Sequence, residues 1–212
     1  MKALNSAKQL LTMLILSSIF SVASAASLTE KPDIRIFFGA GVTGGGEKLA
    51  TVELEYDSGG SSNEDITSGG RITLTGGLII PTPDPSFDLQ VSFGWHTHAI
   101  FTSDDNIDFS RWPVEGLVFY KHRNYRFGSG ITYHINPELD LQDINQPVYK
   151  FKNAPGWVFE AGYSLNGWQN SGFALGARFV LIDYELESVD NFDVVSEELD
   201  GNHFGIHANW MF

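Results

Sequence analysis

The chain ends HFGIHANWMF, residues 203–212. Phe204, Ile206, Ala208, Trp210 and Phe212 alternate with His203, Gly205, His207, Asn209 and Met211. A period of two marks a β-strand with unlike faces. The strand runs to the last residue and leaves an aromatic there. In water a terminal strand frays unless something ties it down. Which face of this strand meets water therefore decides the fold.

The same pattern recurs upstream. RITLTGGLII (71–80) sets Ile72, Leu74, Leu78 and Ile80 against Arg71, Thr73, Thr75 and Gly77. FDLQVSFGWHTHAIF (87–101) sets Phe87, Leu89, Val91, Phe93 and Trp95 against Asp88, Gln90, Ser92, Gly94, His96 and His98. YRFGSGITYHIN (125–136) opposes Phe127, Ile131, Tyr133 and Ile135 to Arg126, Gly128, Gly130, Thr132 and His134. WVFEAGYSL (157–165) and FALGARFVL (173–181) repeat the scheme, with Glu160, Gly162, Gly176 and Arg178 on the polar side. VEGLVFYKH (114–122) has a less clear face, because Leu117 and Phe119 share the parity of Glu115. IRIFFGAGVTGGGEKLATVELEY (34–56) reads either as one strand bent at Gly44-Gly45-Gly46 or as two.

The connections alternate in length. PTPDPS (81–86), HRN (122–124) and NGWQNS (166–171) are short turns. Residues 57–70, 102–112, 136–156 and 188–201 read as longer polar loops that carry most of the acidic residues. Alternating short and long connections make an up-and-down meander with two unlike ends. Both termini on the short-turn side require an even strand number, which favours eight.

Two features turn the oily face outward. The polar face is rich in glycine and short side chains with isolated charges, which suits a narrow barrel interior better than a solvated sheet. Aromatics gather near strand ends: Trp95, Phe101, Trp112, Tyr120, Tyr125, Tyr133, Trp157, Tyr163, Trp168, Tyr184 and Trp210. Rings so placed form girdles at membrane interfaces. The reading is an all-β, eight-stranded antiparallel up-and-down transmembrane β-barrel. A soluble periplasmic lipocalin-like barrel is its rival and needs the aromatic parity to face inward.

Residues 1–25 read as a cleaved signal peptide: Lys2 and Lys8, an apolar run from Leu10 to Phe20, then Ala23-Ser24-Ala25. Residues 26–33 are expected to be a short periplasmic segment and 34–212 the outer-membrane barrel. Removing residues 1–25 takes two of 13 basic residues and none of 26 acidic ones, so the charge moves from −13 to −15. That balance argues against nucleic acid as a partner. There is no cysteine, so an exported chain must be held without disulfides.

These stretches carry a family likeness. The signal, the meander and HFGIHANWMF resemble the small outer-membrane β-barrel proteins of Gram-negative bacteria, of the OmpA/OmpX/OmpW type. GGGEKLATVELEYDSG (44–59), FSRWPVEGLVFY (109–120) and GITYHINPELD (130–140) resemble an uncharacterised group of outer-membrane barrel domains. The resemblance implies fold and location. It also implies that Phe204, Ile206, Trp210 and Phe212 form the signal read by the barrel-assembly machinery, with bilayer and lipopolysaccharide as surroundings and a monomeric state.

With the oily parity outside, the lumen is expected to hold Arg35, Arg71, Arg126 and Arg178 with Asp88, Glu115 and Glu160. His96, His98, His134, His203 and His207 join them as a paired polar network. The histidine spacing matches no metal motif, and no cofactor is expected. Lipid A deacylases with this architecture carry a His and a Ser two residues apart on a strand. Here His134 is followed at that spacing by Asn136, so the nucleophile is missing and a non-catalytic structural or surface-interaction role is expected. A narrow pore or small-ligand conduit, and a lipid A-modifying enzyme, are the alternatives. SDDNID (103–108) offers oxygen ligands for divalent cations without EF-hand spacing.

Overall fold

The computed structural model describes residues 33–56, 60–101, 106–141, 147–190, 192–193 and 198–212. The expected signal peptide, nearly all of the 26–33 segment and the first half of SDDNID lie outside these residues.

Among the described residues thirteen strands form in chain order: β1 Arg35–Gly45, β2 Lys48–Tyr56, β3 Gly60–Thr67, β4 Ile72–Pro81, β5 Phe87–Phe101, β6 Asn106–His122, β7 Tyr125–Asp140, β8 Tyr149–Phe151, β9 Ala154–Ser164, β10 Gly172–Val189, β11 Phe192–Asp193, β12 Glu198–Asp200 and β13 His203–Met211. Eight of them close a ring: β1, β4, β5, β6, β7, β9, β10, β13 and back to β1, every pair antiparallel. Closure pairs Phe37 with Met211 and Gly45 with His203. The Phe212 amide extends the ladder by donating to the Ile36 carbonyl at 2.9 Å.

The open choice over residues 34–56 resolves into two strands. Gly45 and Gly46 take φ of 114° and 74°, which a side-chain-bearing residue rarely adopts, and the chain leaves the wall there. β2 pairs only with β3, as a two-stranded ribbon outside the ring. So residues 57–70, read as a loop, contain strand β3. The other long connections are also partly strand. β6 starts at Asn106, β7 continues to Asp140 and β10 to Val189, with β8, β11 and β12 paired against them. Polar, acidic residues on the outward side hid these extensions, because above the apolar zone the oily residues, such as Phe109, Leu139 and Tyr184, turn inward.

The oily parity faces out. Phe38, Val42, Leu74, Val91, Phe93, Val118, Phe127, Trp157, Phe159, Leu175, Ile206 and Trp210 are all exposed, around the whole ring. Such a belt far exceeds the few hundred Å² of apolar patch that a soluble surface tolerates, and it removes the lipocalin-like rival. The unclear parity of residues 114–122 is settled as well. Leu117 and Phe119 point inward with Glu115, while Val114, Val118 and Tyr120 point outward.

The interior is layered. Phe37, Ile79, Trp168, Ala174 and Met211 make an apolar floor at the short-turn end. Ile66, Phe109, Leu139, Phe151, Ile182 and Tyr184 belong to an apolar cluster toward the long-loop end, with Leu49 and Ala50 of the ribbon packed against it. Two residues assigned to the aromatic girdle are therefore inside. Trp168 and Tyr184 are buried, 3% and 0% exposed. The Trp168 indole N–H donates to the Asn124 carbonyl at 2.8 Å, which draws the ring under the barrel.

Inward glycines make room for large neighbours. A Cβ on Gly128 would lie 2.4 Å from the Phe119 ring, whereas one on Gly116 meets nothing within 4 Å. Gly128→Val is expected to lower stability by roughly 1–3 kcal/mol through overpacking, and Gly116→Ala to be near neutral. Urea unfolding of the barrel refolded in detergent checks both.

Candidate functional site

Between floor and lid the sheet aims polar side chains from facing strands into one column. Nearest the floor, Asp88 of β5 takes two cations. Arg35 Nη2 lies at 3.3 Å and Lys121 Nζ at 2.7 Å, on opposite carboxylate oxygens. Next, Arg126 Nη2 donates to Glu160 Oε1 at 2.7 Å and Nη1 to Gln90 Oε1 at 3.0 Å. The same guanidinium lies between two rings, 3.9 Å from the Phe119 centroid and 4.0 Å from that of Trp168. His207 Nε2 is 3.4 Å from Glu160 Oε1. Above this, Arg178 of β10 bonds Glu115 of β6 across the lumen, and Ser92 Oγ donates to Glu115 at 3.3 Å. These pairs cross between strands, so they brace the cross-section as well as satisfying charge.

A histidine layer follows. His96 and His203 rings are 5.0 Å apart, and His134 and His203 rings 6.3 Å apart. Thr43 Oγ1 contacts His96 Nε2 at 2.7 Å, and the Tyr184 hydroxyl contacts His134 Nδ1 at 2.6 Å. His203 Nδ1 donates to the Gly201 carbonyl at 2.8 Å. His98 sits higher, against Thr67 at the base of the ribbon.

Arg35, Arg126, Arg178, Asp88, Glu115, Glu160 and the five named histidines thus line one lumen column. Arg71 does not. It falls between β3 and β4, its side chain is 53% exposed, and it pairs with Glu64 of the ribbon at 3.1 Å. The parity count assumed that the strand began at Arg71, whereas the wall begins at Ile72. Residues that the reading passed over complete the column: Arg111, Lys121, Gln90, Thr43 and Tyr184. Arg111 lay in a stretch read as loop, and Lys121 on the strand whose faces were unclear.

The column is filled. Two cavities within it, one beside Arg178, Glu115 and His207 and the other among Thr43, His96, His134 and His203, hold about 10 Å³ each. That is room for about one water apiece. The larger concavity, about 850 Å³, lies on the outer wall, where Ala40, Ala161, Ala177 and Ala208 leave a shallow apolar recess between larger side chains.

No protein-family model matches the chain, and no curated protein sequence does. Several solved structures are similar, two of which illustrate the likeness. One is the solid-state NMR structure of outer membrane protein AlkL in lipid bilayers, at 15% identity over 89% of this chain and 94% of that one, with a TM-score of 0.51. The other is the crystal structure of Neisserial surface protein A, at 11% identity over 84% and 98%, with a TM-score of 0.41. At that identity the first likeness is one of fold: a small closed β-barrel.

Glu160→Gln leaves the fully buried Arg126 without its counter-charge. A loss of about 3–5 kcal/mol is expected. The double variant Arg126→Met with Glu160→Met should recover a large part of it. Urea titrations of the two variants and the natural chain measure the difference.

Proposed function

We propose that this chain is an integral β-barrel protein of the outer membrane with a structural or surface-interaction role and no catalytic activity. The observation that carries the reading is the apolar belt around a closed ring whose interior is occupied by paired side chains. A belt of that kind is stable only against hydrocarbon, and ring closure leaves no open sheet edge there. Export by the N-terminal signal, insertion by the barrel-assembly machinery and a monomeric state belong to the same reading. So do contacts of the acidic long-loop end with lipopolysaccharide through divalent cations.

The non-catalytic part is supported by the arrangement of candidate nucleophiles. Ser129 faces outward, Ser164 is buried near the floor, and His134 lies at the other end engaged with Tyr184. Neither serine is paired with His134, the base that would have to activate it in the deacylase-like reading.

A narrow conduit is the second reading. It is favoured by the polar column, which runs continuously from Asp88 to His96. Opening it would require the Arg178–Glu115 and Arg126–Glu160 pairs to part and the floor and lid to move. Planar-bilayer recording separates the two: the structural role expects no steady conductance, and reproducible unitary steps would favour the conduit. Lipid A mass profiles from cells with and without the protein should be identical, and a change in acylation would overturn the non-catalytic assignment.

Two substitutions test the placement in lipid. Phe212→Ala should reduce the folded, heat-modifiable form in membranes while leaving export intact. Leu175→Arg, on the outward apolar face of β10, should cost up to roughly 2–4 kcal/mol for folding into vesicles. A neutral outcome for Leu175→Arg would place that wall outside the bilayer.

A further inference from the structure

The buried charges of the lumen do not balance. Among the described residues Arg35, Arg111, Lys121, Arg126 and Arg178 face three carboxylates, those of Asp88, Glu115 and Glu160. Four of the cations reach a carboxylate. Arg111, fully buried at 0% exposure, reaches none among the described residues. Its Nη2 lies 3.4 Å from His96 Nε2, and its Cζ lies 5.8 Å from the centroid of the Tyr184 ring. Its Nε and Nη1 have no partner. A guanidinium cannot discard its proton in a protein, so the charge stays. Left unpaired inside a barrel it costs several kcal/mol.

A third orphan donor is close by. The Thr67 amide donates to His98 Nδ1 at 3.0 Å, so the proton of that ring is on Nε2. That Nε2 is buried without an acceptor. His98 is the cross-strand partner of Phe109, and Arg111 lies over the Phe109 ring with its Cζ 4.9 Å from the centroid. The orphan groups in this corner are thus a cation edge and an imidazole N–H, which donate and cannot accept. His96 Nε2, the nearby acceptor, is already engaged by Thr43 Oγ1 at 2.7 Å.

We infer that the Arg111 corner of the lumen, completed by the His98 Nε2–H, is a binding site for a small monovalent anion of halide size. Surplus buried positive charge supplies the attraction and the three orphan N–H groups supply directed bonds. Enclosure sets the size. Arg111 and Phe109 are both fully buried, which favours a small monatomic ion over phosphate or sulfate. The anion would sit between the histidine layer and the apolar lid and stabilise the inward packing of that end.

The test uses the full-length barrel folded in detergent. Its unfolding midpoint is followed in sodium chloride, bromide and gluconate at constant ionic strength. A midpoint that rises with halide and saturates is expected. Arg111→Met should remove the halide dependence, while Val118→Ala, on the outer wall, should keep it. Crystals of the natural chain grown in bromide should give an anomalous peak within hydrogen-bond distance of Arg111 Nε or Nη1. Equal midpoints in the three salts overturn the site, and so does the lack of a bromide peak there, which decides the matter even if Arg111→Met fails to fold.

Discussion

The pairing of β13 with β1 is the constraint on which the rest depends. An open sheet would leave two rows of amides and carbonyls facing hydrocarbon, at several kcal/mol for each unsatisfied group. Closure removes both edges at once. It also sets the faces. Successive residues point to opposite sides, so a slip of one residue between Phe37 and Met211 would send Trp210 and Ile206 inward and His203 and His207 outward. The terminal aromatic is part of this ladder, with its amide bonded to Ile36 and its ring edge-on to Phe38.

A ring this small leaves little space, and the interior is arranged around that shortage. Where a large side chain crosses the lumen, the facing position is a glycine: Gly128 beneath Phe119, Gly162 beside Trp168, Gly176 against His207. Charges enter as pairs from different strands, each carboxylate placed where a guanidinium or ammonium already points. Apolar floor and lid keep bulk water from these pairs, which strengthens their attraction and raises the cost of breaking any one. The same packing that makes the barrel rigid leaves little room for transport through it.

Much of this was legible in the sequence, for a physical reason. The period of two survives wherever both faces of a strand have defined surroundings, lipid on one side and lumen on the other. Phe204 to Phe212, Trp157 to Leu165 and Phe87 to Trp95 could therefore be assigned by parity alone. The reading failed where one side changes character along the strand. Above the apolar belt the pattern reverses: Ile107, Phe109, Leu139 and Tyr184 turn inward while acidic and short polar residues turn outward, so the extensions of β6, β7 and β10 looked like loops and Arg111 was lost among them. Near the ends an inward face can be oily, so Trp168 and Tyr184 passed for girdle residues although they close the interior. Arg71 failed by a single position at a strand boundary.

The sequence by itself determined the class of fold, the outward direction of the oily face, and the identity of most charges inside, because alternation along a strand is a local property. Only the tertiary structure decided which charges meet. Arg126 with Glu160, Arg178 with Glu115, and Arg111 with no acid among the described residues follow from the register of strands far apart in the chain. Register comes from ring closure, in which every strand is fixed by two neighbours, and no single segment contains that information.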